Sequence, residues 1–387
     1  MANVLTDLAA DIYVAADVVG RELVGFIPAV TINANGSERA AVGDVVRAAF
    51  TREATVGDVT ESMTIPQGTD QTVDNKTLTI NKSRAVQIPF TGEDVLHLNN
   101  GVGYDTVYGD MIAQAMRALT NEMEVEIATQ AKNNASRAFG TAGTTPFASN
   151  FNEVAEIRQI LVDNGMPPND GQVSLVLNTL AGTNLRQLAS LQSVNQAGND
   201  TLLRQGTLLD LQGLAVRESA QVQAHTKGAG TGYDINQGSG EAIGETTITL
   251  DGGTVNTTGI KAGDIVTFAG DTNKYVVNTG LTATSGDIVI GSPGLRLLIS
   301  DAHEMTIGNN YTGNMAFHRR AIELAVRAPA VPEGGDNADD AITVQDPNSG
   351  IVYEVRFYKG YRKAMIEVAV AFGVKAWKSD FIATLLG

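Results

Sequence analysis

A change of chemical character at His225 constrains this chain more than any other feature. Between Gly228 and Gly313 stand 17 of the chain's 41 glycines in 86 residues, and the apolar residues there show none of the three-and-four spacing that a helix needs. Short β-type runs recur instead, at Thr246–Leu250, Asp264–Ala269, Lys274–Asn278, Asp287–Ile290 and Leu295–Ile299. Short runs at regular intervals, divided by glycine turns, predict a small antiparallel barrel or sandwich. Helix and strand signals return at Ala316–Arg327, so the β-rich block is read as an insertion in a mixed frame, and the rest of the core is expected to fold without Gly228–Gly313.

The frame on either side is legible from spacing. Leu5, Leu8, Ile12, Ala15, Val19 and Leu23 fall at steps of three and four and predict an amphipathic N-terminal helix. Asn33–Gly43 is rich in Asn, Gly and Ser and reads as a loop or an extended connection. From Val45 to Phe90, threonine, valine and two-residue alternation predict a long β-hairpin, whose middle, Pro66–Lys76, holds almost no large apolar residue and is expected to project. The strongest helical stripe, Tyr104, Tyr108, Met111, Ala115, Leu119, Met123 and Ile127, lies in Gly103–Ala135, which at ~1.5 Å per residue reaches ~45 Å. Phe151–Asn164 and Leu180–Leu191 predict two more helices, with a buried strand at Val173–Leu177 between them. After the insertion, His318, Arg319 and Arg320 begin a further predicted helix, and Ile351–Phe357 and Met365–Phe372 read as paired strands. Helices alternating with strands indicate an α+β fold.

Composition removes several classes of function. The 387 residues suffice for two or three domains, and 43% hydrophobic against 18% charged residues describes a folded chain. With no cysteine there are no disulfides or thiolate metal sites, as suits a reducing cytoplasm. A net charge of −16 argues against sequence-specific nucleic-acid binding, which rests on a basic surface. Met1–Gly25 lacks the pattern of a secretory leader, since Asp7, Asp11 and Asp17 interrupt it, and the apolar stretch Ile366–Trp377 is too short for a membrane span. The expectation is a soluble protein that does not engage a membrane.

Catalytic signatures are missing too. There is no phosphate-binding P-loop, nucleophile elbow or paired-histidine zinc helix, and His97, His225, His303 and His318 are scattered. Asp234, Asn236, Gly238 and Glu245 make a partial calcium-loop pattern that fails at its sixth place, Ser239. Asp336, Asp339 and Asp340 form an acidic cluster that reads as a solvated turn. The expectation is a chain that is not an enzyme and holds no cofactor or metal.

Laid end to end, these elements resemble the major capsid (coat) protein of tailed bacteriophages, the Hong Kong 97-type capsid fold. Gly206–Ser219 (GTLLDLQGLAVRES), Met315–Pro329 (MAFHRRAIELAVRAP) and Ser349–Trp377 carry the resemblance in the frame. Thr258–Gly270 (TGIKAGDIVTFAG) resembles a strand-turn-strand segment of the β-barrel inserted in podovirus-type coat proteins. The resemblance implies an N-terminal arm (1–44), an extended β-hairpin loop (45–92), a spine helix and peripheral domain (93–150), an axial domain (151–224, returning at 315–340), an inserted barrel (225–314) and C-terminal strands of the peripheral domain (341–387). It also implies a homo-oligomer of pentamers and hexamers closed into an icosahedral shell, assembled in the host cytoplasm with a scaffolding protein and a portal, enclosing double-stranded DNA in the virion. Candidate intersubunit contacts are Leu5, Leu8, Ile12 and Leu23 in the arm, Pro66 and Lys76 in the loop, and Arg319 and Arg320. Some relatives link lysine to asparagine, and Lys76, Lys82 and Asn348 are residues of those types. The alternatives are an encapsulin-like shell of a cellular nanocompartment, an enzyme with a β-rich accessory domain, and a β-rich adhesin.

Overall fold

The computed structural model describes residues 24–50, 58–59, 61–65, 74–99, 104–168, 170–192, 210–345 and 350–387. A 3-10 turn (Ile27–Ala29) leads into strands β1 (Thr31–Ala40), β2 (Val45–Phe50), β3 (Asp74–Thr79) and β4 (Lys82–Thr91), then helices α1 (Gly92–Asn99) and α2 (Tyr104–Asn133). Next come β5 (Arg137–Phe139), α3 (Asn152–Asp163), β6 (Val173–Leu177), α4 (Thr179–Gln187), α5 (Ala189–Gln192), β7 (Ala215–Glu218) and β8 (Ala224–His225). The glycine-rich block supplies β9 (Tyr233–Ile235), β10 (Thr247–Asp251), β11 (Ile265–Phe268), β12 (Lys274–Thr279), β13 (Gly286–Ile290) and β14 (Glu304–Ile307). The chain finishes with β15 (Tyr311–His318), β16 (Ile322–Pro329), β17 (Ala338–Gln345), β18 (Val352–Lys359), β19 (Lys363–Ala376) and β20 (Ile382–Leu386).

Strand β19 organises the first sheet. One edge takes β16 from Ile322↔Ala376 to Arg327↔Ala371 and then β18 from Glu354↔Ala369 to Lys359↔Ala364, while the other takes the whole of β4. Its middle, Val368–Val374, is buried on both faces, as expected of an unbroken apolar run in a central strand. Gly373 is required there, because a Cβ would come within 2.3 Å of the Thr79 carbonyl oxygen. Helix α2 lies over this sheet, placing Ile112, Met116, Leu119 and Met123 in one core with Val368, Val370 and Phe372. At about 1.5–3 kcal/mol for each fully buried large apolar side chain, this contact is a major stabilising term.

The second sheet runs β7-β6-β15-β20-β5, with β6–β7 and β5–β20 parallel and β15 antiparallel to both neighbours. Helices α3 and α4 cover it through Val154, Ile157, Leu161 and Leu185 against Leu175 and Leu177. Helix α4 starts where it does because the Asn178 side chain accepts a hydrogen bond from the Ala181 amide at 2.8 Å, an N-cap.

The glycine-rich block closes into the expected small barrel, in the order β11-β14-β9-β10-β13-β12, with β12 pairing back to β11. Val266 and Phe268 point inward with Tyr233, Ile248, Leu250 and Tyr275, whereas Ile265, on the opposite face of β11, belongs to the core under α2. Strand β12 also pairs with β5, so the barrel continues the second sheet and shares the main core.

Several expectations are corrected. Ala316–Arg327, with His318, Arg319 and Arg320 as a helix start, forms a strand, a 3-10 turn (Arg319–Ala321) and another strand. The reason is burial on every side, since Ile322 to Ala328 are all buried and two-face burial mimics helical spacing in sequence. Asn33–Gly43 is largely strand β1, parallel to β16, and Phe26, Ile27, Ala29 and Val30 before it are core residues. The long hairpin is only the pair β2–β3, because β4 joins β19. On α2 Met111 is exposed, and the apolar stripe runs through Ile112 instead. Leu180–Leu191 breaks at Leu188, and Leu295–Ile299 makes only an isolated bridge from Ile299 to Glu241. The expected segments 315–340 and 341–387 each divide between the two sheets, the chain crossing at Arg319–Ala321 and again at a 3-10 turn over Ser379–Phe381.

Candidate assembly surface

Among the described residues, the β2–β3 hairpin is held to the body at its base and, partway along β3, at Lys76. Gly43, at φ +102, lets the chain reverse, the Gly43 amide donates to the Ile80 carbonyl at 2.8 Å, and the Ile80 amide donates to the Asp44 carbonyl at 2.9 Å. Ile80 packs with Ala40 and Ala371, and Lys76 donates from Nζ to the Trp377 carbonyl oxygen at 3.0 Å while lying 5.9 Å from the Trp377 ring centroid. Beyond the base, six paired residues run from Val45↔Thr79 to Phe50↔Asp74. In the connection between the two strands, Val59, Met63 and Ile65 are 99%, 108% and 92% exposed. Three large apolar side chains thus stand bare to solvent in one short stretch. On the rest of the body, Leu96 and Tyr361 are also exposed at the end of the first sheet, as are Ile243, Leu297 and Leu298 on the barrel.

The sequence-derived contact residues fare differently. Leu5, Leu8, Ile12, Leu23 and Pro66 lie outside the described residues, as does Asn348. Lys76 is engaged with Trp377, and Lys82 pairs with Glu126 at 2.8 Å and Glu122 at 3.6 Å, so both lysines are bound within their own chain. Arg319 and Arg320 are exposed at the sheet crossing, with Arg319 Nε donating to the Val30 carbonyl at 3.2 Å. The crossing is fixed by buried His318, whose Nε2 lies 2.6 Å from Asp170 Oδ2, a hydrogen bond that holds the Asp170 carboxyl below its ordinary value. Spacing gave no signal for Val59, Met63 and Ile65, because isolated apolar residues in a polar stretch carry no period.

The barrel's base carries the densest polar cluster. The fully buried Asp264 carboxylate accepts from the Lys261 amide at 2.7 Å and the Gly228 amide at 3.0 Å, and lies 2.7 Å from His225 Nε2. The Tyr311 ring lies against His225 with the planes tilted by 39°, its hydroxyl donates to the Gly263 carbonyl at 2.6 Å, and burial pushes its phenol well above the usual range. Asp264, legible as a turn residue, is therefore the acceptor that ties the insertion's first end, His225 and Gly228, to the turn at Lys261.

The polar groups singled out for chemistry are committed elsewhere. Asp234 stands in the ladder of β9 opposite Asp251 and Glu304, not in a calcium loop between helices. Asp336 is bound by Arg356 and Tyr358, and Asp339 by Lys359. In the cleft between α3 and the barrel, Arg137 is hydrogen-bonded to Asn164 and Asn273, and Lys274 to the Gly140 carbonyl. Among the described residues no group of three His, Asp or Glu side chains is placed to hold a metal ion, and no helix is long and apolar enough to cross a membrane.

No family model and no curated protein matches the chain. Among solved structures it is similar to the capsid of cyanophage P-SCSP1u, at 9% identity and a TM-score of 0.48 over 92% of this chain and 86% of that one. It is likewise similar to the capsid of cyanophage A-1(L), at 10% identity and a TM-score of 0.48 over 94% and 90%. A virus-like particle from Pyrococcus furiosus is similar at 8% identity and a TM-score of 0.42 over 97% and 98%. The likeness is one of outline. The functional reading rests on this chain's own residues.

Proposed function

We propose that this chain is the major capsid protein of a tailed bacteriophage, self-assembling as pentamers and hexamers into the icosahedral head that encloses double-stranded DNA. The observation that carries the reading is the bare apolar stretch Val59, Met63 and Ile65, the most exposed large aliphatic side chains among the described residues, borne on the connection of the β2–β3 hairpin. A subunit with such a stretch completes its burial against sibling copies, and many such contacts, each modest, close a stable shell. The resemblance of the frame and of Thr258–Gly270 to coat proteins points the same way. A net charge of −16 suits a wall that contains DNA without gripping it. In this reading the protein is not an enzyme, works in the virion, and meets a scaffolding protein and a portal during assembly.

Electron microscopy and sedimentation of the purified chain test the proposal. Closed particles, or rings of five and six subunits, are the expected result, with packaged DNA separating a phage head from a cellular compartment. A stable monomer that never forms cages would overturn it.

A further inference from the structure

We infer that Glu124 is a proton-gated latch holding the segment Val24–Val30 against the body of the subunit. The segment needs an external acceptor. Its 3-10 turn begins at Phe26, whose side chain cannot cap the turn, so the amides of Phe26 and Ile27 must find their acceptor elsewhere. Glu124, two thirds of the way along α2 and 1% exposed, supplies it. Its carboxylate accepts from the Phe26 amide at 3.1 Å to each oxygen, from the Ile27 amide at 3.2 Å, and from the Ser219 hydroxyl at 3.4 Å. The fit around it is close: a Cβ at Gly25 would come within 2.7 Å of the Glu218 carbonyl oxygen, and the Phe26 ring stacks on Phe317 at 6.1 Å with the planes 2° apart.

No cation answers this carboxylate among the described residues. From the lead-in segment it faces two backbone amides, and from the loop after β7 the Ser219 hydroxyl, while Glu218 beside it is turned to Arg186. On its own helix, Glu122 and Glu126 point away to Arg84 and Lys82, and Thr120 bonds to the Met116 carbonyl and the Tyr353 hydroxyl. Burial therefore dominates and pushes the Glu124 carboxyl from 4.5 up to about 7, against the lowering effect of the Ile27 and Phe26 amides and the Ser219 hydroxyl.

The sign follows from linkage. Between pH 4.5 and about 7 the docked carboxyl keeps a proton that a solvent-exposed carboxyl has already released, so docking is firmest in acid, weakens as pH rises through that window and levels off above about 7. A chain moved from mildly acidic to neutral conditions loosens Val24–Val30 from the body. The latch is a property of the single chain and does not depend on the shell reading.

Amide hydrogen exchange of Phe26 and Ile27 in the full-length chain, corrected for intrinsic exchange, reads the latch directly. The opening constant is expected to rise by about 70-fold between about pH 5 and pH 8 in the wild type, as a shift from 4.5 to about 7 requires, and to be flat in Glu124→Gln. Protection independent of pH in the wild type, or a Glu124→Gln variant that keeps the wild-type slope, would overturn the inference. Should that variant fail to fold, carbon-13-edited infrared spectra of the wild type decide: a buried carboxylic acid band that disappears near pH 7 supports the latch, and its absence at pH 6 overturns it.

Discussion

Replacing Asp264 by alanine tests whether the barrel is fastened to the body by one buried carboxylate. The side chain is fully buried, and its removal strands the half-buried Lys261 amide together with the Gly228 amide and the His225 imidazole, which are buried. A buried donor left without a partner costs about 1–3 kcal/mol, so three give roughly 3–9 kcal/mol before relaxation. Entry of a water molecule into the vacated volume recovers part of this, and the expected loss is about 3–5 kcal/mol, a large share of the roughly 5–15 kcal/mol that stabilises an ordinary domain. Exposed Asp287 on β13 serves as the control, with Asp287→Ala expected within about 0.5 kcal/mol of wild type. Urea unfolding followed by fluorescence compares the two variants, and amide exchange at Gly228 and Lys261 localises the damage. If Asp264→Ala unfolds at the same urea concentration as Asp287→Ala, the clamp contributes nothing and the reasoning fails.

Other outcomes follow from the same structure. Met63→Asp and Val59→Asp should leave the thermal midpoint of the unassembled chain unchanged while preventing particles in sedimentation, whereas a fall in the midpoint would show that these side chains are covered within their own chain. Gly373→Ala forces a Cβ to within 2.3 Å of the Thr79 carbonyl oxygen and should cost about 1–3 kcal/mol in denaturant unfolding, since backbone rather than a side-chain tip must yield. Lys76→Ala should make the hairpin more susceptible to proteolysis without changing the melting of the core, because the lost bond runs from partway along β3 to Trp377. Excising residues 228–309 should destabilise the remaining frame, contrary to the sequence-based expectation, because Ile265 and Val276 leave the core under α2 and β5 loses a paired strand.

What the sequence made legible depended on how many faces each element buries. Helix α3 buries one face, so Val154, Ile157 and Leu161 stood out at helical spacing. The barrel strands β10 and β13 likewise show their alternation between turns that glycine marks. Strand β16 was misread because it is central, and apolar residues on both faces erase the period that separates strand from helix. Strand β1 was hidden by polar residues that have partners only in the fold: Asn33 accepts from Arg327 and donates to Glu323, and Arg39 reaches Glu354. Glu124 drew no notice for the same reason. A glutamate within a helix is ordinary until the chain returns, 98 residues away in sequence, to lay two amides on it.

Strand β20 sits inside the second sheet, between β15 and β5, and its neighbour Gly387 exchanges hydrogen bonds with Thr312. That position sets a timetable for folding during synthesis. The six barrel strands are all made once residue 307 has been added, but the sheet beside them keeps an unfilled slot until residue 386 is made, roughly 4–16 s later at ordinary translation rates. From the completion of β15 at residue 318 until then, β15 and β5 present open edges on which the matching strand of another nascent chain can settle. Slow decoding of the codons for residues 308–386, or crowding of ribosomes on one message, therefore exposes this protein to strand exchange between copies.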